Sequence, residues 1–372
     1  MKRVAGAFLR PLAEGSPRSL PRRRALSSSA SAVVSSSATG SAVELGIVPA
    51  HVGFERGMAP SAAGRLPRTP ETGELALLTE MRGVVEECPV DLHAAQISYF
   101  AHAHPPDIAE LVEGLSSLSL QTHFVAMVGG ADPASPADEE AVLAQLLPCL
   151  EASVAHGCTT VSSTSFEEWM APGASRLEGE ALAAATEQLA ALHLRASREA
   201  GLVDSCVQSW HLEFLRPGEF TTFTDARRAA AVVRAANAAL GDGYQEGGFF
   251  KLLVDSAHCG DSGLSLAQNE AAVAQLAARS ELGIVHCSAP TTRGCLSTDS
   301  GGWSAAILAA AARSGQLERV FVEVFDHTDP ALAPLRELGV GHGVDTRGGR
   351  SYRQVVIDSL VHVSRQLDEL AA

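Results

Sequence analysis

The stretch FFKLLVDSAHCGDSGLSLAQNEAAVAQLAARSELGIVHCS, residues 249–288, holds the pattern on which the fold turns. It opens on an apolar run, Phe249 to Asp255, and closes on another, Leu282 to Ser288. Between them, Leu266 to Ser280 has apolar residues at helical spacing. Two short apolar runs separated by one helix read as a βαβ unit whose parallel strands are buried on both faces.

Outward from this unit the alternation continues. Strand-like runs occur at Leu92 to Phe100, Thr122 to Val128, Thr159 to Ser163, Ser209 to Leu215, Val320 to Phe325 and Gly339 to Asp345. Helical segments lie between them at Pro106 to Leu118, Glu139 to His156, Gly179 to Ala200, Thr224 to Leu240, Trp303 to Gly315, Asp329 to Leu338 and Tyr352 to Leu370. Eight strand–helix units match an α/β fold of the (β/α)8 TIM-barrel type, a single domain over residues 91–372. A doubly wound open sheet has the same local pattern, so the positions of the polar residues must separate the two. Val43 to Val48 is a ninth strand candidate for eight places. Residues 43–90 are expected to form a pre-barrel extension, with a Gly- and Pro-rich loop from Ala50 to Pro70 and a helix from Glu74 to Glu87.

The first 42 residues differ in composition from the rest. They hold seven basic residues (Lys2, Arg3, Arg10, Arg18, Arg22, Arg23, Arg24) against one acidic residue, Glu14, and run into a Ser/Ala tract from Ser27 to Ser41. Residues 1–42 therefore read as a disordered, cleavable transit peptide, mitochondrial in preference to plastid, with Arg24-Ala25-Leu26-Ser27 resembling a processing site. Without that net +6, the formal charge changes from −15 for the whole chain to −21 for the remainder. A body so acidic, with no cluster of Lys and Arg, argues against a nucleic-acid partner. No stretch reaches the roughly 18 apolar residues of a membrane span. The seven cysteines are odd in number and lack CxxC spacing, which argues against a disulfide framework or a structural zinc module.

In a barrel the chemistry sits at the C-terminal ends of the strands. Four consecutive strand ends each carry a potential metal ligand: Glu213 in WHLEF, Asp255 in LLVDSAH, His286 in GIVHCS and Glu323 in VFVEVF. Their separations of 42, 31 and 37 residues are each about one βα unit, which puts the four side chains at one height on neighbouring strands. A carboxylate inside an apolar strand is costly to bury unless it is paired or bound to a cation. Two Glu, one Asp and one His suit one divalent metal, Mn²⁺ or Mg²⁺ in preference to Zn²⁺ or Co²⁺.

A Glu at one strand end, Asp-x-x-His (Asp255, His258) on the next, then His286 and Glu323, resembles the sugar isomerases and epimerases of the xylose isomerase-like superfamily. That superfamily also includes hydroxypyruvate isomerases and apurinic-site endonucleases. The resemblance implies that Glu213, Asp255, His286 and Glu323 bind the metal and that Glu213 and Glu323 also move protons. It implies substrate-binding roles for His258 and for an arginine beyond the metal histidine, here Arg293. The endonuclease branch needs a further Asp-x-His, and RGCLSTDSGGW (residues 293–303) has Asp299 but no histidine. The expected activity is isomerisation or epimerisation of a small sugar or hydroxy-keto compound through an enediolate, with Glu213 and Glu323 as base and acid across a carbon next to the carbonyl. The substrate is a small-molecule carbohydrate, no membrane or nucleic-acid partner is expected, and association into a homo-oligomer is left open.

Other residues admit blander readings. His102 and His104 form an HAH that, with His258, His286 and Asp345, resembles an amidohydrolase metal motif, but this leaves Glu213, Asp255 and Glu323 unexplained. His211 reads as a packed histidine, Cys287 as core, and Asp345 as a helix cap or, with His342 and Arg347, a substrate contact. Two alternatives to the isomerase stand: a metal-dependent hydrolase or lyase on the same barrel, and a non-catalytic barrel.

Overall fold

Eight parallel strands close on themselves in chain order in the computed structural model, which describes residues 43–49, 59–171, 173–241, 248–289, 302–313, 315–324 and 350–372. The strands are β1 (Glu44–Val48), β2 (Ala94–Tyr99), β3 (Gln121–Met127), β4 (Thr160–Thr164), β5 (Ser209–Glu213), β6 (Phe250–Asp255), β7 (Leu282–Cys287) and β8 (Arg319–Glu323). The described helices are α1 (Ala76–Glu87), α2 (Pro105–Ser117), α3 (Glu139–Ala155), α4 (Gly179–Glu199), α5 (Ala226–Leu240), α6 (Ser256–Asp261), α7 (Leu266–Ala278), α8 (Trp303–Ala312) and α9 (Tyr352–Ala371). The fold is the expected (β/α)8 barrel.

The placement of residues 43–90 as a pre-barrel extension is corrected. β1 pairs in parallel with β2 and, along all five residues from Glu44↔Arg319 to Val48↔Glu323, with β8. The barrel therefore begins at Glu44. Leu45 and Ile47 turn outward into the main core, while Val48 on the other face joins a lumen cluster with Ala94, Leu253, Ile284 and Phe321. The strand and helix expected at Gly339 to Asp345 and Asp329 to Leu338 lie outside the described residues, and the barrel closes without them.

Small residues make room inside the barrel. A Cβ added to Gly46 would overlap the Phe321 ring, and one added to Gly283 would stand 2.7 Å from His211. Below these, Glu44 accepts from Arg319 Nε at 3.1 Å and meets His123 Nε2 at 2.9 Å, so the N-terminal end of the lumen is tied by charge across the β1–β8 seam. Burial alone would raise the Glu44 carboxyl, but His123 and Arg319 outweigh it and hold it below its ordinary value.

The segment before α1 is fastened to α2. Asp107 accepts from Arg65 Nε at 2.7 Å, Arg65 Nη2 at 2.8 Å, Leu66 N at 3.0 Å and Arg68 Nη2 at 3.2 Å. Helix starts carry the expected signals. Ser265 and Gln268 form a capping box on α7, Ser351 and Gln354 form one on α9, and Asp225 caps α5.

Candidate metal centre

β5, β6, β7 and β8 each end on one member of the predicted quartet. Glu213, Asp255 and Glu323 close their strands, and His286 stands one residue before the end of β7. Each offers one ligand atom, and the four atoms lie within 4.8 Å of one another. Strand alternation turns the intervening residues outward, which is why Leu212, Val254, Cys287 and Val322 are buried in the main core instead.

His286 is the centre of the group. Its Nδ1 lies 3.6 Å from Glu213 Oε1 and 3.4 Å from Glu323 Oε2. Both ring nitrogens are buried without a hydrogen-bond partner. Burial would lower this imidazole, but Glu323 and Glu213 outweigh it and push it up to about 10. The carboxylates thus demand a cation at this point. A divalent ion coordinating the ring would take the place of that proton, and the unpartnered nitrogens and convergent carboxylate oxygens fit such an ion.

The surrounding bonds orient these side chains. Asp255 Oδ1 accepts from Ala257 N at 2.6 Å, capping α6, and from Ser288 Oγ at 3.0 Å. Its Oδ2 faces His258 Nε2 at 3.6 Å. His258 lies on the first turn of α6, three residues beyond Asp255, and its Nε2 is also 3.5 Å from Glu213 Oε1. His258 Nδ1 accepts from the Arg216 backbone N–H at 3.1 Å. In the neutral ring the proton therefore sits on Nε2, and His258 presents a donor to the centre.

Sequence reasoning missed several neighbours in the loops after β4 and β5. Arg216 is almost wholly buried, with Nε donating to Glu219 Oε2 at 2.8 Å and Nη1 to Asp261 Oδ2 at 3.3 Å. Trp169 Nε1 donates to the other Glu219 oxygen at 3.3 Å. Glu167 accepts from the backbone N–H groups of Thr221, Thr222 and Phe223 and so clasps one loop to the other.

The competing assignments separate cleanly. His102 is exposed, and His104 Nδ1 lies 3.5 Å from Asp107, outside the quartet. His211 sits lower in the lumen, where its Nδ1 accepts from Ile284 N at 3.2 Å and its Nε2 meets Ser209 Oγ at 2.8 Å. Burial, aided by neighbouring cations, keeps its imidazole well below the ordinary range. Burial pushes the Cys287 thiol up to about 12, as suits a core residue. Arg293, Asp299, His342, Asp345 and Arg347 lie outside the described residues.

No family model matches the chain, and no curated protein matches it. Solved structures do. D-psicose 3-epimerase with D-tagatose from Clostridium cellulolyticum H10 superposes with a TM-score of 0.61 at 14% identity, covering 88% of this chain and 99% of that one. L-ribulose 3-epimerase gives 0.63 at 16% identity over 88% and 96%. D-allulose 3-epimerase from Methylomonas sp. in complex with D-allulose gives 0.61 at 16% identity over 87% and 96%. At such identities the likeness is one of fold, the (β/α)8 barrel.

Proposed function

We propose that this chain is a divalent-metal-dependent epimerase or isomerase acting on a small sugar or hydroxy-keto compound through an enediolate. The observation that carries this is the convergence of Glu213, Asp255, His286 and Glu323 within 4.8 Å at four consecutive strand ends, around a buried His286 that lacks a hydrogen-bond partner. The fold shared with structures named as ketose 3-epimerases supports the same reading.

When bound, a divalent ion, Mn²⁺ or Mg²⁺ in preference to Zn²⁺ or Co²⁺, would supply Lewis-acid stabilisation of negative charge developing on substrate oxygens. The residues supply the rest. Glu213 and Glu323 come from the two ends of the four-strand arc, so one can take a proton from the carbon next to a carbonyl while the other returns it. Return on the opposite face inverts that carbon; return to the neighbouring carbon exchanges ketose and aldose. His258 donates from Nε2 to a substrate oxygen, and Arg293 is proposed as a second substrate contact. Phe321 and the buried strand ends exclude water from below.

The substrate is proposed to be a small carbohydrate. Among the described residues no helix is long and apolar enough to cross a membrane. Residues 1–42 are proposed to direct the chain to an organelle, mitochondrial in preference to plastid.

The test is incubation of the metal-loaded protein with small ketoses and hydroxy-keto acids in deuterated water. Incorporation of deuterium at the carbon next to the carbonyl, with formation of an epimer or aldose, is expected. Hydrolysis of an ester, amide or phosphate without such exchange would replace this function with a hydrolytic one.

A further inference from the structure

In a (β/α)8 barrel, lumen-facing side chains of alternate strands stack in layers of four. β4 sends Thr160, Ser162 and Thr164 into the lumen. Thr160 Oγ1 meets His123 Nδ1, and Ser162 Oγ accepts from Gln96 Nε2 at 3.0 Å. Ser163 faces the other way, where its Oγ accepts from Trp210 Nε1 at 2.9 Å. One step past the last register pair of β4 and β5, Ser163↔Leu212, Thr164 stands beside Glu213. Following the registers around the barrel, the uppermost layer of even-numbered strands is Ser98, Thr164, Asp255 and Glu323. Two of its members belong to the metal centre. Thr164 comes from the strand opposite β8 across the lumen.

Thr164 is only 4% exposed, and its hydroxyl is buried with no hydrogen-bond partner. Valine has the same shape and would fill this place without leaving a hydrogen-bonding group unmet. The metal ligands all come from β5 to β8, so a ligand held there presents its far side to β4.

We propose that the Thr164 hydroxyl hydrogen-bonds an oxygen of the substrate, on a carbon beyond those that exchange protons, and so selects for a hydroxyl at that carbon. This rests on the epimerase or isomerase function proposed above. Such a contact adds binding that is present in ground and transition states alike, so its loss shows in KM before kcat.

The experiment compares the full-length protein with Thr164→Val and Thr164→Ser, each loaded with Mn²⁺, on D-fructose and on D-fructoses singly deoxygenated at C4, C5 or C6. Binding is followed by calorimetry in parallel with turnover. Thr164→Val should lower kcat/KM and affinity for D-fructose by about tenfold, the worth of one hydrogen bond. It should leave one deoxy analogue unaffected, the one that lacks the partner hydroxyl, while Thr164→Ser retains most of the wild-type behaviour. Bound Mn²⁺ should be unchanged, and the unfolding midpoint unchanged or higher, because a buried unmet hydroxyl has been removed. Equal activity of wild type and Thr164→Val on every ketose would overturn the Thr164 assignment alone, as would a lower midpoint or loss of Mn²⁺, which would mark a structural role. A wild-type protein that neither binds nor turns over any ketose would overturn the enzyme assignment and this contact with it.

Discussion

The Phe321 ring lies nearly parallel to His286, with centroids 6.4 Å apart and planes inclined by 18°. Phe321 is fully buried, and its ring also meets that of His123, with centroids 5.4 Å apart. Phe321, with its lumen cluster, thus stands between the candidate metal centre at the C-terminal end of the lumen and the Glu44–His123–Arg319 group at the N-terminal end. The arrangement depends on Gly46, since any side chain there would overlap Phe321.

Replacing Phe321 with Ala should destabilise the protein by about 3 to 5 kcal/mol, the usual range for removing a buried aromatic ring. Gly46→Ala should destabilise it as well, through overlap. In a cycle of wild type, Gly46→Ala, Phe321→Leu and their combination, the double variant should lose less than the sum of those two single losses, because the smaller side chain relieves the overlap. Denaturant unfolding of the four proteins checks this, and strict additivity would show that the two sites do not touch.

The quartet should hold one metal ion per chain, and Asp255→Ala or His286→Ala should abolish retention on a desalting column, as read by elemental analysis. Ser288→Ala should have a milder effect. Its hydroxyl donates to Asp255 Oδ1, and loss of such support typically weakens metal binding by about 10- to 100-fold. Three tightly held zinc ions per chain would point to endonuclease chemistry instead.

The quartet was legible in the sequence because each member interrupts an apolar run at a strand end, and the βα period spaces them. The eight-strand alternation was legible for the same reason. β1 was not. It has five residues, and what identifies it is pairing with β8, some 275 positions away, which no local pattern encodes. α6 was missed because a six-residue helix shows no periodicity; its start is set by Asp255 acting as cap and candidate ligand together. Arg216 and Glu219 sit in LRPGE, which reads as a turn, and their role appears only once the guanidinium is seen between Glu219 and Asp261. Thr164 was hidden by its company, because VSST is a run of small hydroxyl residues with no apolar alternation to show which face each one takes.

Asp107 should set part of the acid sensitivity of folding. Burial alone would raise its carboxyl, but hydrogen bonds from Arg65, Leu66 N and Arg68 outweigh it and hold the group well below the carboxylate range. A group depressed in the folded state stabilises above its unfolded value, near 4, and loses that contribution as the pH falls further. Asp107→Ala should therefore cost about 2 kcal/mol at neutral pH, below the full value of a buried pair because Arg65 is half exposed. The deficit should shrink on acidification below about pH 4. Urea unfolding of both proteins between pH 3 and pH 7 checks the sign, and a deficit that stays constant or grows in acid would contradict it.

The two glutamates provide the sharpest separation between holding a metal and moving a proton. Glu213 and Glu323 each lie within 3.6 Å of His286 Nδ1, on β5 and β8 respectively, so either could serve as a ligand alone. Gln keeps the shape and one acceptor oxygen but cannot accept a proton from carbon at neutral pH. If the glutamates were ligands only, Glu213→Gln and Glu323→Gln would bind the ion more weakly, and excess Mn²⁺ would restore turnover. If they also transfer protons, the loss persists at saturating metal, on the order of 10²- to 10⁴-fold for one acid–base step. The expected outcome is the second, with metal still bound in both variants. The two should also differ in solvent exchange. The variant that keeps the glutamate facing the substrate's hydrogen should still exchange that position with deuterated water, whereas the variant that has lost it should exchange only the product epimer, whose hydrogen faces the remaining glutamate. Near-normal turnover of both with excess Mn²⁺ would leave the metal centre standing and remove the proton-transfer roles.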